Sequence, residues 1–171
     1  GEALYRHGEI ALSLKHLREA LELLGYPAPK SLIGINISIG IELFRQLLHR
    51  LRSRVFGKPA GRPTDTLIEA VRAYERLFEI HYMRNELLGN TLAGFRSLNL
   101  AEQYGLCPEL ARSYASVSVI VSSIKLVRSA EQYFARGKRI AEKSSDRESL
   151  AYVKAIGSVH FLATGDWVTA R

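Results

Sequence analysis

The chain has 171 residues, 47% of them apolar, and a formal net charge of +7. This size and composition describe a folded chain that can bury one sizeable core or several stacked units. Its single cysteine, Cys107, excludes an internal disulfide and a zinc site built from several thiolates. No apolar run reaches the roughly 18 residues of a membrane span, so none is predicted.

The sequence begins with glycine and has no basic-then-apolar leader. Its first residues already look like the interior of a repeat. We therefore expect a piece of a longer cytoplasmic protein.

Two helical segments are predicted near the amino terminus. Residues 2–7 look like the end of a helix that stops at Gly8, and 9–24 form the next helix. Glycine and two prolines within 25–29 mark its end. This second helix has apolar residues at helical spacing: Leu14, Leu17, Leu21 and Leu24.

The segment 31–51 supports two interpretations. Isoleucines at alternate positions from Ile33 to Ile41 are typical of a strand. The same segment has apolar residues on one helical stripe, although Gly34 and Gly40 each cost a helix about 1 kcal/mol. We predict a helix, because the segment is long and no second strand is available to pair with it.

Positive charge is concentrated between Glu42 and Asp65, an interval without an acidic residue. Glycines and prolines within 52–63 predict an exposed basic loop there. One alternative to a solvated loop is an anionic contact through 45–62. Only Phe56 interleaves the charges, which disfavours nucleic acid. The candidate contact residues are Arg50, Arg52, Arg54, Lys58 and Arg62.

Further helices are predicted after this loop. Thr64 or Asp65 caps the first, Pro108 opens another, and Asp146 caps the last complete one. A final helix begins at 166–171. The complete ones are predicted at 67–88, 90–104, 108–124, 127–143 and 147–164, which gives an all-α fold.

Small residues recur at matched positions in these helices. The repeat is seen when four turn residues are aligned: Gly8, Gly89, Lys125 and Gly165. Small residues then follow at offsets 5 and 12, and a large residue at offset 9, all on one helical face. Ala101 and Ala130 are two of the small ones. The pattern predicts stacked helix hairpins that bury their apolar faces against their neighbours.

This pattern resembles tetratricopeptide repeats, a family of helical-hairpin solenoids with a period of about 34 residues. The match rests on two motifs, Gly165-Asp166-Trp167-x-x-Ala170 and Gly8…Ser13…Leu17…Ala20. The resemblance implies antiparallel hairpins stacked into a right-handed solenoid over 1–171. Residues 30–63 fit it poorly, and Lys125 replaces the usual turn glycine.

A second resemblance covers more of the chain. Its motifs are Leu98-Asn99-Leu100-Ala101-Glu102, Pro108-Glu109-Leu110-Ala111-Arg112 and Gly165-Asp166-Trp167. They look like the helical region of large bacterial signalling proteins, where such repeats follow an ATPase module, often beside a class III nucleotide cyclase or a protein kinase domain. This resemblance implies a regulatory or scaffolding part without catalytic residues.

The tetratricopeptide resemblance also implies a concave groove lined by the first helix of each pair, where partner segments are held. Counting along the matched repeats gives nine groove positions, three in each of three helices: Glu79, Met83, Glu86, Arg112, Val119, Ser122, Tyr152, Val159 and Leu162. Six of them are the predicted partner contacts: Met83, Arg112, Val119, Tyr152, Val159 and Leu162. The set is partly apolar and suits an amphipathic helix, from a partner or from a neighbouring domain of the parent chain. The alternative is that Val119 and Val159 are buried between repeats.

Motifs for catalysis, cofactors or metals are not found. The sequence has no glycine-rich phosphate loop ending in lysine and a hydroxyl residue, and its five histidines lack metal-ligand spacing. We expect no enzyme and no cofactor, but a scaffold that binds a protein or peptide segment. The alternatives are contact with a membrane surface or nucleic acid through 45–62, and an unrecognised enzyme on a helical bundle.

Overall fold

The computed structural model describes residues 10–55, 65–144 and 146–164, with side chains described for 10–49, 65–144 and 146–159. All regular structure in these ranges is α-helical, so the all-α prediction is confirmed. The helices are α1 (Ile10–Leu23), α2 (Leu32–Val55), α3 (Asp65–Met83), α4 (Leu87–Tyr104), α5 (Pro108–Ser123), α6 (Val127–Ser144) and α7 (Arg147–Thr164).

The uncertain segment 31–51 is helical, and α2 extends beyond it to Val55. The prediction of a loop from residue 52 onward is therefore wrong for 52–55. The reason is that no helix breaker occurs before Gly57. The rest of the predicted basic loop, 56–63, lies outside the described residues, as do the predicted helical pieces 2–7 and 166–171.

The described helices fall into two compact units, α1–α4 and α5–α7. In the first unit, α3 and α4 form a hairpin, while α1 packs on α3 and α2 packs on α4. The core of this unit contains large side chains that are at most 2% exposed: Leu21, Tyr74, Leu77, Ile80 and Leu98.

The turn between α3 and α4 lies earlier than predicted. Helix α3 ends at Met83, Asn85 has a φ of 56°, and α4 already begins at Leu87. The predicted turn residue Gly89 is therefore inside α4. Its role is a close approach, because a Cβ there would lie 2.7 Å from Nδ1 of His81.

In the second unit, α5 and α6 form a hairpin, and α7 packs on both. Pro108 opens α5 as predicted, and Lys125 has a φ of 62° in the predicted turn. Asp146 caps α7, because its Oδ2 accepts a 2.8 Å hydrogen bond from the Ser149 backbone N–H. A Cβ at Gly137 would lie 2.8 Å from the carbonyl oxygen of Ala111, so this glycine lets α6 approach α5 closely.

Ala101 and Ala130 are both fully buried, at 0% exposure. Replacing either with leucine adds volume that the packed helices must accommodate, which costs about 1–3 kcal/mol. We expect chemical denaturation to show a loss of this size for Ala101→Leu and for Ala130→Leu. The control is Ala135→Leu at an exposed position of α6, which leaves stability nearly unchanged. Equal stability of all three variants would contradict the assigned packing positions.

Candidate functional site

Helix α2 exposes a broad band of large apolar side chains. Each is between 45% and 74% exposed, and together we call them the apolar face: Leu32, Ile33, Ile37, Ile41, Leu43, Phe44, Leu47 and Leu48. Full burial of one such side chain is worth about 1.5–3 kcal/mol, so covering these eight half-exposed ones is worth on the order of 10 kcal/mol. That value is comparable to the whole stability of a typical domain, about 5–15 kcal/mol.

The opposite side of α2 faces the protein. Its first half contributes the half-buried Ile35 and Ile39, whereas its second half is polar. Glu42 is 2% exposed and Gln46 is 4% exposed, and both contact Asn99 of α4. A surface helix normally buries its apolar side and exposes its polar side. The orientation of the second half of α2 is the reverse, and specific polar contacts hold it in that orientation.

Four side chains form a buried network between α2 and α4. Gln46 Nε2 donates to Asn99 Oδ1 at 2.6 Å and to Glu102 Oε2 at 2.8 Å. Asn99 Nδ2 donates to Glu42 Oε2 at 2.7 Å and to the Glu42 backbone carbonyl at 3.0 Å. The amides of Gln46 and Asn99 thus connect the two carboxylates, which satisfies groups that are costly to bury alone.

Two arginines balance the charge of Glu42. Arg45 Nη1 donates to Glu42 Oε1 at 2.9 Å, and Arg96 Nε lies 3.6 Å from the same oxygen. The Arg96 guanidinium also lies 5.4 Å from the ring centroid of Tyr74, a cation–π contact. A buried carboxylate requires such pairing.

At the next turn of α2, His49 Nδ1 lies 3.4 Å from Glu102 Oε2. His49 Nε2 is buried without a hydrogen-bond partner among the described atoms.

A small pocket lies elsewhere in the first unit, beside His81. Its volume is about 30 Å³, and its lining includes Arg18, Tyr74 and Gly89. A pocket of that volume holds two or three water molecules at most and is too small for an organic substrate. His81 Nδ1 lies 2.6 Å from Glu86 Oε2. Burial lowers the pKa of His81, against the opposing effect of Glu86.

Two predicted groove residues of the second unit, Arg112 and Tyr152, connect α5 and α7 by hydrogen bonds. Arg112 Nη1 donates to Ser149 Oγ at 2.9 Å, and the Tyr152 hydroxyl lies 2.9 Å from Ser116 Oγ. Val119 is 9% exposed, and Val159 is half-buried.

The remaining predicted residues lie apart from these. Met83 is 68% exposed at the end of α3, in the first unit. Leu162 is in α7, but its side chain is outside the described part. Three of the candidate anionic-contact positions, 50, 52 and 54, lie in the last two turns of α2. The other two, 58 and 62, lie outside the described residues.

The sequence analysis did not predict that Glu42, Gln46 and Asn99 form a buried network. A signal was present, because Glu42, Gln46 and His49 follow i, i+4, i+7 spacing opposite the isoleucine stripe. The partner Asn99 lies 57 positions from Glu42, and sequence spacing does not reveal such a long-range pair.

Metal-ligand clusters and membrane-spanning helices are both absent from the described residues. No group of three or more histidine, cysteine, aspartate or glutamate side chains is placed to hold a metal ion. None of the helices in the same residues combines the length and hydropathy needed to span a membrane.

Comparison of the chain with known protein families, with curated proteins and with solved structures finds no significant match. The candidate site therefore rests on the geometry of α2 and its network.

The network gives a prediction for stability. Asn99→Ala removes the amide between Glu42 and Gln46 and leaves a buried carboxylate short of a donor, which costs about 3 kcal/mol. We expect urea denaturation to show this loss. The control is Asn36→Ala, whose exposed side chain bonds only within α2, with a change below about 0.5 kcal/mol. A similar small change for Asn99→Ala would mean that the network does not hold α2.

His81 gives a prediction for pH dependence. Its pKa is below the usual 6.5 in the folded protein, so the unfolded chain binds more protons as the pH falls through that region. The wild-type melting temperature should therefore fall between about pH 7.5 and pH 5.5, and His81→Gln should flatten part of that fall. The control is Leu88→Gln, at a 39% exposed side chain that carries no titrating group, and it should leave the slope unchanged. An unaltered slope in His81→Gln would contradict the lowered pKa.

Proposed function

We propose that this chain is a non-enzymatic interaction module that binds its partner through the apolar face of α2. The observation that carries the proposal is the exposure of eight large apolar side chains on one helix. Exposed apolar patches of this extent mark interaction sites in folded proteins. The buried network supports the proposal, because it fixes the direction in which α2 presents this face.

The proposal includes a tetratricopeptide-like arrangement in a regulatory scaffold of a larger, cytoplasmic bacterial signalling protein. Its support is the pair of hairpins, α3 with α4 and α5 with α6, each joined by a short turn. The close approach at Gly137 and the complete burial of Ala101 and Ala130 agree with the small-residue positions of such repeats. In this arrangement α2 is the departure from the repeat pattern, and it carries the binding surface.

Two substitutions on the apolar face test whether it is a free surface. Ile37 is 60% exposed and Phe44 is 59% exposed, so Ile37→Asp with Phe44→Asp should shift the melting temperature by only about 2 °C. Leu98→Asp, at a side chain with 0% exposure, is the matched control and should unfold the protein. A collapse of the α2 double variant would show that the chain itself covers this face, and the proposal would be wrong.

Site-specific cross-linking tests whether a partner covers the face. A photo-reactive amino acid at position 37 or 44, in the organism that makes the protein, should yield adducts with protein or lipid, identified by mass spectrometry. Position 131, exposed on α6, is the control and should yield far fewer. Equal yields at 37, 44 and 131 would contradict a binding role for the apolar face.

A further inference from the structure

We propose that the apolar face of α2 binds the surface of an anionic lipid bilayer, with α2 lying parallel to the membrane. This inference rests on the proposed function, since it names the partner of the same face. Its basis is the combination of exposed apolar side chains and positive charge on one helix, without an exposed acidic side chain.

The charged residues of α2 are basic, with a single exception. Its single acidic residue is Glu42, and that side chain is 2% exposed and paired with Arg45 and Arg96. Arg45 remains 52% exposed on its side chain. The last two turns of the helix add arginine at positions 50, 52 and 54. The exposed charge among the described side chains of α2 is thus positive, and the sequence of its last two turns adds basic residues but no acidic one.

The helical register places these basic positions along both borders of the apolar face. Position 52 follows Arg45 by two turns, on one border. Position 50 follows Leu43 by two turns, on the other border, and position 54 follows Leu47 by two turns, just inside that border. Helices that lie in a membrane interface have this arrangement, because the apolar side chains enter the acyl boundary while arginines reach the headgroup phosphates.

The extent of the face suits a surface-lying helix. From Leu32 to Leu48 it extends about 24 Å along the axis, at 1.5 Å per residue. It occupies one side of the helix, since the other side is held against α4 by Gln46 and Glu42. A lipid surface accounts for both the apolar and the basic residues, whereas an apolar protein surface leaves the arginines unexplained.

Gly40 is a position at which the apolar face can be enlarged. It lies among Ile37, Ile41 and Phe44, and a Cβ added there meets no atom within 4 Å. A leucine at this position therefore extends the apolar face without displacing a neighbour. It also replaces a weak helix former with a strong one.

The test uses the full chain and sedimentation with phosphatidylcholine vesicles, prepared with and without phosphatidylserine. Wild-type protein should bind the phosphatidylserine vesicles, and its binding should weaken as salt increases. Ile37→Ser with Phe44→Ser should reduce binding at least about tenfold. Arg52→Gln and Arg54→Gln should each reduce it about fivefold.

Two further variants sharpen the result. Gly40→Leu should raise the affinity about fivefold while circular dichroism shows the same helix content as in the wild type. Leu23→Ser with Leu126→Ser is the matched control, because these leucines are 90% and 54% exposed but lie outside α2. This control should bind as the wild type does.

Two outcomes overturn the proposal. If folded wild-type protein does not bind phosphatidylserine vesicles, the partner is not an anionic lipid surface. Protein adducts at positions 37 and 44 would then still support the proposed function. If vesicle binding survives Ile37→Ser with Phe44→Ser and is lost only with the arginines, the attraction is electrostatic alone and the apolar face is not inserted.

Discussion

The carboxylate of Glu42 is the group on which the arrangement of α2 depends. It is buried between two helices, accepts hydrogen bonds from Asn99 and Arg45, and lies near Arg96. An isolated buried carboxylate costs far more than its hydrogen bonds return, so each of these donors must be in place. The geometry that satisfies Glu42 therefore fixes the rotation of α2 about its axis. That rotation directs the apolar face of α2 toward solvent.

The two sides of α2 differ in how strictly they specify what they bind. Contacts on the polar side specify one orientation, because hydrogen bonds depend on direction and distance. The apolar side has no such directional requirement, and it gains free energy from any environment that excludes water. One side of such a helix attaches it to its own domain, and the other side is available to a partner. The fold of the first unit and the proposed binding surface are thus linked through Gln46 and Asn99.

Helical periodicity in the sequence predicted every described helix, including α2 with its ambiguous isoleucines. Local signals also placed Pro108, Lys125 and Asp146 correctly. The turn before α4 was misplaced at Gly89, because a glycine needed for close approach to His81 has the same sequence signature as a turn glycine. The orientation of α2 was beyond local patterns, since it depends on Asn99, far along the chain. The position of the apolar face could be predicted, but its exposure could not.

Because the second half of α2 is attached through polar contacts, its detachment differs from melting of the core. The α3–α4 hairpin buries Tyr74, Leu77 and Leu98, so separating those helices exposes much apolar surface. Releasing the second half of α2 mainly rehydrates Glu42, Gln46 and Asn99. Such a step carries a small heat-capacity change and belongs to local opening, with a free energy below that of global unfolding. Amide hydrogens of α2 would then exchange with solvent while those of the hairpin remain protected.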